Sequence, residues 1–379
     1  MKDQMNEPIY FNGKFYAGKH NGVHRVADRL VREVDQLAAE EWGDRKWDLR
    51  LLIPKRRRFS PEVSTVRVIE QDVGHTQLWE QGILPFVASD GLLVNLANLA
   101  PLLHRRKIML IHDAQFFLSP ESYSLHFSVG YRILTPIMAR TSLSVLTISN
   151  YSREMLAVFG ISPWDRTSLI FNGVDHILGY PDKSGVLARH GIGQGKYAVL
   201  FGSTAIYKNI GVVLSAFSDH APPGVSLVIV GDGEDRLRAA GLEPPQGAIF
   251  VGRVDDGELR ALYQSALCLL FPSRTEGFGL PPLEAMLCGC PAIVTPAGAL
   301  PEMCRDAVLY ANVDDAEGWS AQISALKNNA VLRAEKIERG RQRAMAFTWR
   351  KAGEGLMNVL LSHLSKTARS ALPVRDKRA

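Results

Sequence analysis

Two glutamates, Glu276 and Glu284, flank the stretch Gly277-Phe278-Gly279-Leu280-Pro281-Pro282-Leu283. Carboxylates at this spacing suit a carbohydrate ligand, since one can contact a reacting sugar while the other grips a diol. The residues around them say how both could reach one crevice. Residues 266–271 are an apolar run of strand length, and the glycines that follow open a tight turn. Pro281 and Pro282 fit the first turn of a helix, where a missing N–H costs nothing. The N–H groups of Gly277 to Leu280 then stand at the positive end of that helix, suited to an anionic or oxygen-rich ligand. The carboxylates alone would equally fit an ordinary strand–turn–helix with a surface glutamate at each end. The Gly-Phe-Gly and Pro-Pro between them turn the reading towards a site.

Further candidates stand at the ends of other apolar runs. Gly202 follows the run 197–201, and Ser203, Lys208 and Asn209 come next. A glycine there lets a ligand approach the backbone, and Lys208 at a helix start can neutralise phosphate charge. A surface lysine opening a helix is also commonplace, so the case depends on this strand sharing a sheet with the one before Glu276. His112-Asp113 closes the run 108–111, at the edge where a parallel sheet carries functional groups. The alternative is a satisfied core histidine. Ser149-Asn150-Tyr151-Ser152-Arg153-Glu154 reads as a helix cap, with Ser149 or Ser152 at the capping position. Three signatures fail: residues 191–196 lack Walker spacing, no Gly-x-Gly-x-x-Gly joins a strand to a helix, and no Asp-x-Asp occurs. With no His/Cys cluster at ligand spacing either, no metal is expected.

The positioning elements repeat in two halves. Strands are expected at 9–11, 49–53, 66–69, 91–96, 108–111, 145–148 and 169–171, with helices over 23–37, 123–140 and 152–159. After the turn signal Asn172-Gly173-Val174-Asp175 the alternation restarts. Strands follow at 197–201, 227–230, 249–251, 266–271, 292–294 and 308–310, with helices over 209–217 and 256–266. This predicts an α/β chain of two doubly wound domains whose carboxyl edges face each other.

At 379 residues the chain has room for both domains, and 46% apolar with 22% charged residues is the balance of a globular protein. Residues 1–11 do not read as a signal peptide and no apolar run reaches membrane-span length. Cys268, Cys288, Cys290 and Cys304 lack zinc or redox spacing, so reduced thiols in the cytoplasm are expected. The net charge of +5 gathers at Lys55-Arg56-Arg57-Arg58 and His104-Arg105-Arg106-Lys107. These runs are either solvated loops or a face for anionic lipid or a phosphate-bearing acceptor. No nucleic-acid module accompanies them.

Taken together the motifs resemble the retaining glycosyltransferases of family 4, also called group 1, which have the GT-B fold. Glu276 and Glu284 match the family's Glu, seven residues, Glu motif. Asn21-Gly22-Val23-His24-Arg25, Ile111-His112-Asp113, Tyr207-Lys208-Asn209, Phe250-Val251-Gly252-Arg253-Val254, Leu300-Pro301-Glu302 and Phe347-Thr348-Trp349 support it, along with the Ser149 and Asn172 stretches. The resemblance implies an acceptor-binding domain over 1–177, a nucleotide-sugar domain over 178–345, and a helix over 346–379 crossing back to the first. It implies a nucleotide-sugar donor and no cofactor. Glu276, His112 and Lys208 would be catalytic. Gly22, Gly202, Ser203, Asn209, Val251, Arg253, Val254, Phe278, Gly279, Leu280 and Glu284 would bind the donor: Glu284 the ribose, the 251–254 backbone the base, Lys208 the diphosphate. One position departs. Many members carry arginine after the glycine matching Gly202, and here Ser203 places more of the leaving-group charge on Lys208, Arg253 or Arg274. The motif spelling leans towards bacterial enzymes that move mannose from GDP-mannose to a lipid-linked oligosaccharide at the membrane's cytoplasmic face. A related phosphorylase or epimerase, or a silent nucleotide-sugar-binding subunit, are the competing readings.

Overall fold

A computed structural model describes residues 7–18, 21–40, 47–72, 77–122 and 125–364. Two parallel sheets carry the chain. The first holds β1 (Ile9–Asn12), β2 (Leu49–Pro54), β3 (Arg67–Gln71), β4 (Leu92–Asn95), β5 (Lys107–Leu110), β6 (Ser144–Thr147) and β7 (Thr167–Leu169), in the order β3-β2-β1-β4-β5-β6-β7. The second holds β8 (Tyr197–Gly202), β9 (Ser226–Gly231), β10 (Ile249–Gly252), β11 (Cys268–Phe271), β12 (Ala292–Val294) and β13 (Leu309–Tyr310), in the order β10-β9-β8-β11-β12-β13. The central strands are apolar along their whole length, as strands covered by helices on both faces must be. In each sheet the strand order reverses once, between β1 and β4 and between β8 and β11. Ligands of such sheets lie beyond the strands' carboxyl ends at that reversal. There stand Asn12 and Asn95 in one sheet, and Gly202 and the loop leading to Glu276 in the other.

Three local expectations shift. The strand expected at 169–171 forms earlier, as β7, because Phe171 leaves the sheet to pack edge-on against Phe347 at 5.7 Å. Lys208 does not open a helix. It ends the short 3-10 turn Ile206–Lys208, and Asn209, at φ 52°, sets the start of the next helix at Ile210. The two basic runs do not form one cationic face. Lys55 pairs with Asp72 and Arg57 with Glu70. Lys107 is fully buried, its ammonium donating to the His104 carbonyl and the Thr141 hydroxyl, each at 2.9 Å, and Arg106 pairs with Glu7.

The last helix, Trp349–His363, lies on the Gly22–Glu40 helix of the first sheet, capped by Thr348. Its entry is fixed by the segment that joins the sheets: Val174 N–H donates to the Phe347 carbonyl at 3.1 Å, and Trp349 N–H to Asp175 Oδ1 at 2.8 Å. Gly173 permits this approach, since a Cβ there would lie 2.1 Å from the Trp349 nitrogen. Gly173→Ala should therefore destabilise the fold by about 1–3 kcal/mol, a backbone clash with no flexible neighbour to yield. Gly179→Ala, where the added methyl meets open space, is the control. Equal melting midpoints for both variants would count against this docking.

Candidate functional site

The helix Leu280–Leu287 begins as its sequence requires. Gly279 takes the capping position at φ 91°, with Pro281 and Pro282 in the first turn. Among the described residues, the N–H groups of Gly277 to Leu280 have no acceptor, and these four residues line the cleft between the sheets. Pro281, Phe278 and Leu280 line that cleft with Gly22, Asn21 and His112 from the first sheet's side. Its volume is about 400 Å³.

Lys208 and Glu276 meet there, Nζ to Oε1 at 2.7 Å, brought together because β8 and β11 are hydrogen-bonded neighbours. The ammonium lies over the rings of Tyr207 and Phe271, 5.1 and 5.3 Å from their centroids. These rings hold a cation in place without neutralising it. Arg274, from the same loop, is turned away to pair with Asp314.

His112 is buried. Its Nε2 lies 2.9 Å from the Leu96 carbonyl, so Nε2 carries the proton and Nδ1 is an acceptor. Burial pushes its pKa down to about 4, against the Leu96 hydrogen bond and with His24 lowering it further. The ring is therefore neutral at ordinary pH. Next to it the Asp113 carboxyl is pushed up to about 6, chiefly by burial; the Gln115 N–H opposes this, Glu276 adds to it, and Lys208 opposes it.

Glu284 projects into the same cleft, and its support was not legible from spacing. His176 Nε2 stands 3.2 Å from Glu284 Oε1, an approach short of hydrogen-bond geometry. Trp349 Nε1–H donates to His176 Nδ1 at 3.0 Å, which leaves the His176 proton on the nitrogen facing the carboxylate. Beside it Arg25 of the first domain grips Asp256 of the second with two hydrogen bonds of 2.7 and 2.8 Å.

The sequence profile of the glycosyl transferases group 1 matches residues 187–343. The chain is 30% identical over 266 residues to O-antigen chain mannosyltransferase B of Escherichia coli, covering 64% of this chain and 67% of that protein. The chain belongs to the group 1 glycosyltransferases. It is also 29% identical over 236 residues to O-antigen chain mannosyltransferase RfbU of Salmonella typhimurium, a match that covers 60% of this chain. The chain spans 62% of that relative's length. Among solved structures, HepE of Anabaena in complex with UDP-glucose superposes with a TM-score of 0.69 at 20% identity, covering 94% of this chain and 100% of HepE. The arrangement is the GT-B fold, as the motif set implied.

In this group 1 glycosyltransferase the remaining expected residues divide. Gly202, Ser203 and Arg253 line an adjoining pocket of about 550 Å³, together with Arg236, which the motif reading did not name. Arg236 is held by Asp232 at 2.8 Å, whereas Arg253 has no carboxylate partner among the described residues. Gly202 must be glycine, as a Cβ would come 2.8 Å from the Asp232 carbonyl oxygen. Asn209 lines neither space, and its amide donates to the Val313 carbonyl at 2.6 Å. Val251 and Val254 pack on the apolar core, their side chains outside both pockets.

The two perturbed groups have opposite pH signatures. With a folded value below the ordinary 6.5, His112 contributes stability that is lost as pH falls from that value towards about 4. With a value raised from 3.8 to about 6, Asp113 contributes stability that is lost as pH rises through that window. His112→Gln should flatten the acid-side loss of stability, and Asp113→Asn should steepen it. Urea midpoints measured across the window check this, and unchanged slopes in both variants would refute the assignment.

Proposed function

We propose that this glycosyltransferase moves a hexose, with configuration retained, from a nucleotide diphosphate donor to a lipid-linked glycan at the cytoplasmic membrane face. The preferred donor is GDP-mannose, a choice supported by the O-antigen mannosyltransferase relatives. One observation carries the reading: Lys208, Glu276, Glu284, His112 and four unpartnered N–H groups face one interdomain cleft.

Glu284, with His176 Nε2 3.2 Å away, accepts hydrogen bonds from both ribose hydroxyls. The diphosphate lies along Lys208 and the helix N-terminus, with Gly22 closing from the opposite domain. Arg253 stands in the pocket that Gly202 and Ser203 open, and supplies the cation that Ser203 lacks. As the bond from the sugar's anomeric carbon to the β-phosphate oxygen breaks, negative charge grows on that oxygen, where fixed donors lower the barrier. The acceptor hydroxyl attacks the same face, and its proton passes to the departing phosphate. Neutral His112 touches the sugar near the reacting carbon, and Glu276 holds its hydroxyls and keeps Lys208 aimed at the phosphate. Lys208 does the charge neutralisation that a metal would otherwise supply.

Glu276→Gln should reduce turnover on the order of 10²-fold while nucleoside diphosphate affinity holds, and Lys208→Met should cost 10²–10³-fold or so. Wild-type turnover in either variant would remove that residue from the mechanism. A thermal-shift panel of nucleoside diphosphates with and without sugars names the donor, the largest stabilisation being expected with GDP-mannose. In the same preparation, slow release of diphosphate without acceptor separates an enzyme from a binding subunit. Activity should survive a metal chelator, and proton NMR of the product should show the donor's anomeric configuration. A chelator-sensitive or inverting reaction would contradict this chemistry.

A further inference from the structure

The Leu125–Arg140 helix meets two environments. Thr135, Met138 and Ala139 are buried against the first sheet's core. On the opposite side Val129, Ile133 and Ile137, spaced at successive helical turns, are 53%, 59% and 43% exposed. Single exposed apolar side chains are ordinary, but a contiguous row is the mark of an interaction surface. The row continues past the helix to exposed Leu143. The Lys107 ammonium, bonded to both His104 and Thr141, ties in the neighbouring loop, where Leu103 is 76% exposed.

The charge on this helix has one sign. Between Glu121 and Glu154 the sequence contains no carboxylate. Arg132 and Arg140 are exposed on the helix, and Arg105 is exposed beside Leu103. Among the described residues none of the three pairs with a carboxylate; Arg132 donates to the Phe117 carbonyl and lies over its ring. A second copy of the chain joined through this face would bring the helix arginines together with no carboxylate on the helix to oppose them. A bilayer surface offers what the face lacks: acyl chains for the apolar row and anionic headgroups for the arginines.

We propose that this helix face, extended by Leu103, docks on an anionic lipid surface. It sits well for that role, because Tyr131 of the same helix lines a cavity of about 230 Å³ in the first domain with Lys14, Glu80 and His24. A lipid-linked acceptor held at the bilayer would enter from this side. That last link rests on the proposed acceptor class, whereas lipid docking does not.

The test is co-sedimentation of the full chain with phosphatidylglycerol-containing vesicles and with pure phosphatidylcholine vesicles, in the absence of donor and acceptor. Binding to the first and not the second is expected. Ile133→Glu with Ile137→Glu should lower the bound fraction about tenfold or more, and Arg132→Gln with Arg140→Gln should remove the preference for anionic lipid. Circular dichroism melts and donor hydrolysis should match wild type, so vesicle binding and sugar transfer fail independently. Wild-type protein that stays in the supernatant would overturn the proposal. So would binding unchanged by the glutamate pair, or a wild-type dimer that the same pair dissociates.

Discussion

The geometry of the cleft depends on how the carbonyl of Gly277 is held. Ser149 Oγ donates to it at 2.6 Å and Ser152 Oγ at 3.2 Å, both from the first domain. Ser149 also caps its own helix, accepting the Ser152 N–H at 2.9 Å. Two glycines make the approach possible from opposite sides. A Cβ on Gly277 would lie 2.8 Å from that of Asp113, and one on Gly298, at φ +61°, would lie 2.5 Å from the Glu276 nitrogen. The loop is clamped where neither glycine has room for a Cβ, and the buried Gly277 carbonyl accepts from two hydroxyls of the other domain. An unmet acceptor at that depth is costly, so the placing of the two domains and the placing of Glu276 are one constraint.

The same junction repeats on either side. Gln115 donates to the Thr275 carbonyl at 3.0 Å, and Glu302 accepts the Asn150 and Tyr151 N–H groups at 3.0 Å each. These contacts make the cleft a place where first-domain hydroxyls and amides complete the polar groups of the second domain. His112 is buried by this arrangement and Asp113 is half-buried beside it, and the shifts in their proton affinities follow chiefly from that desolvation.

Much of this is legible before any coordinates. Alternating apolar runs give both sheets, because strands buried on both faces need uninterrupted hydrophobic residues and their crossover helices need a period near 3.6. The carboxylates, glycines and prolines around the Leu280–Leu287 helix are local chemistry, and local chemistry survives translation into structure. What spacing cannot reveal is which distant pieces meet. Ser149 reads correctly as a cap, yet its second partner lies 128 residues away. His176 carries no local signal at all; only the return of Trp349 across 173 residues fixes its proton towards Glu284. The basic runs mislead for the converse reason, since charge in sequence says nothing of counter-charges supplied by another strand. Lys55 and Arg57, just past β2, find Asp72 and Glu70 at the end of β3.

On the proposed placement of the diphosphate, the Lys208–Glu276 pair accounts for a serine at position 203. An ammonium carries three donors, and Glu276 takes only one of them. The flanking rings of Tyr207 and Phe271 restrict where the head group can move, so the remaining donors are left for anionic oxygens in the cleft. A guanidinium at position 203 would be one way to place fixed positive charge beside a diphosphate. A lysine oriented by a carboxylate, with a second cation at Arg253 that has no carboxylate partner among the described residues, is another. The ammonium opposes the rise in the Asp113 proton affinity that Glu276 promotes. Lys208 and Glu276 cancel in net charge, so what the proposed diphosphate meets here is donors: the spare ammonium N–H groups and the N–H groups of the loop.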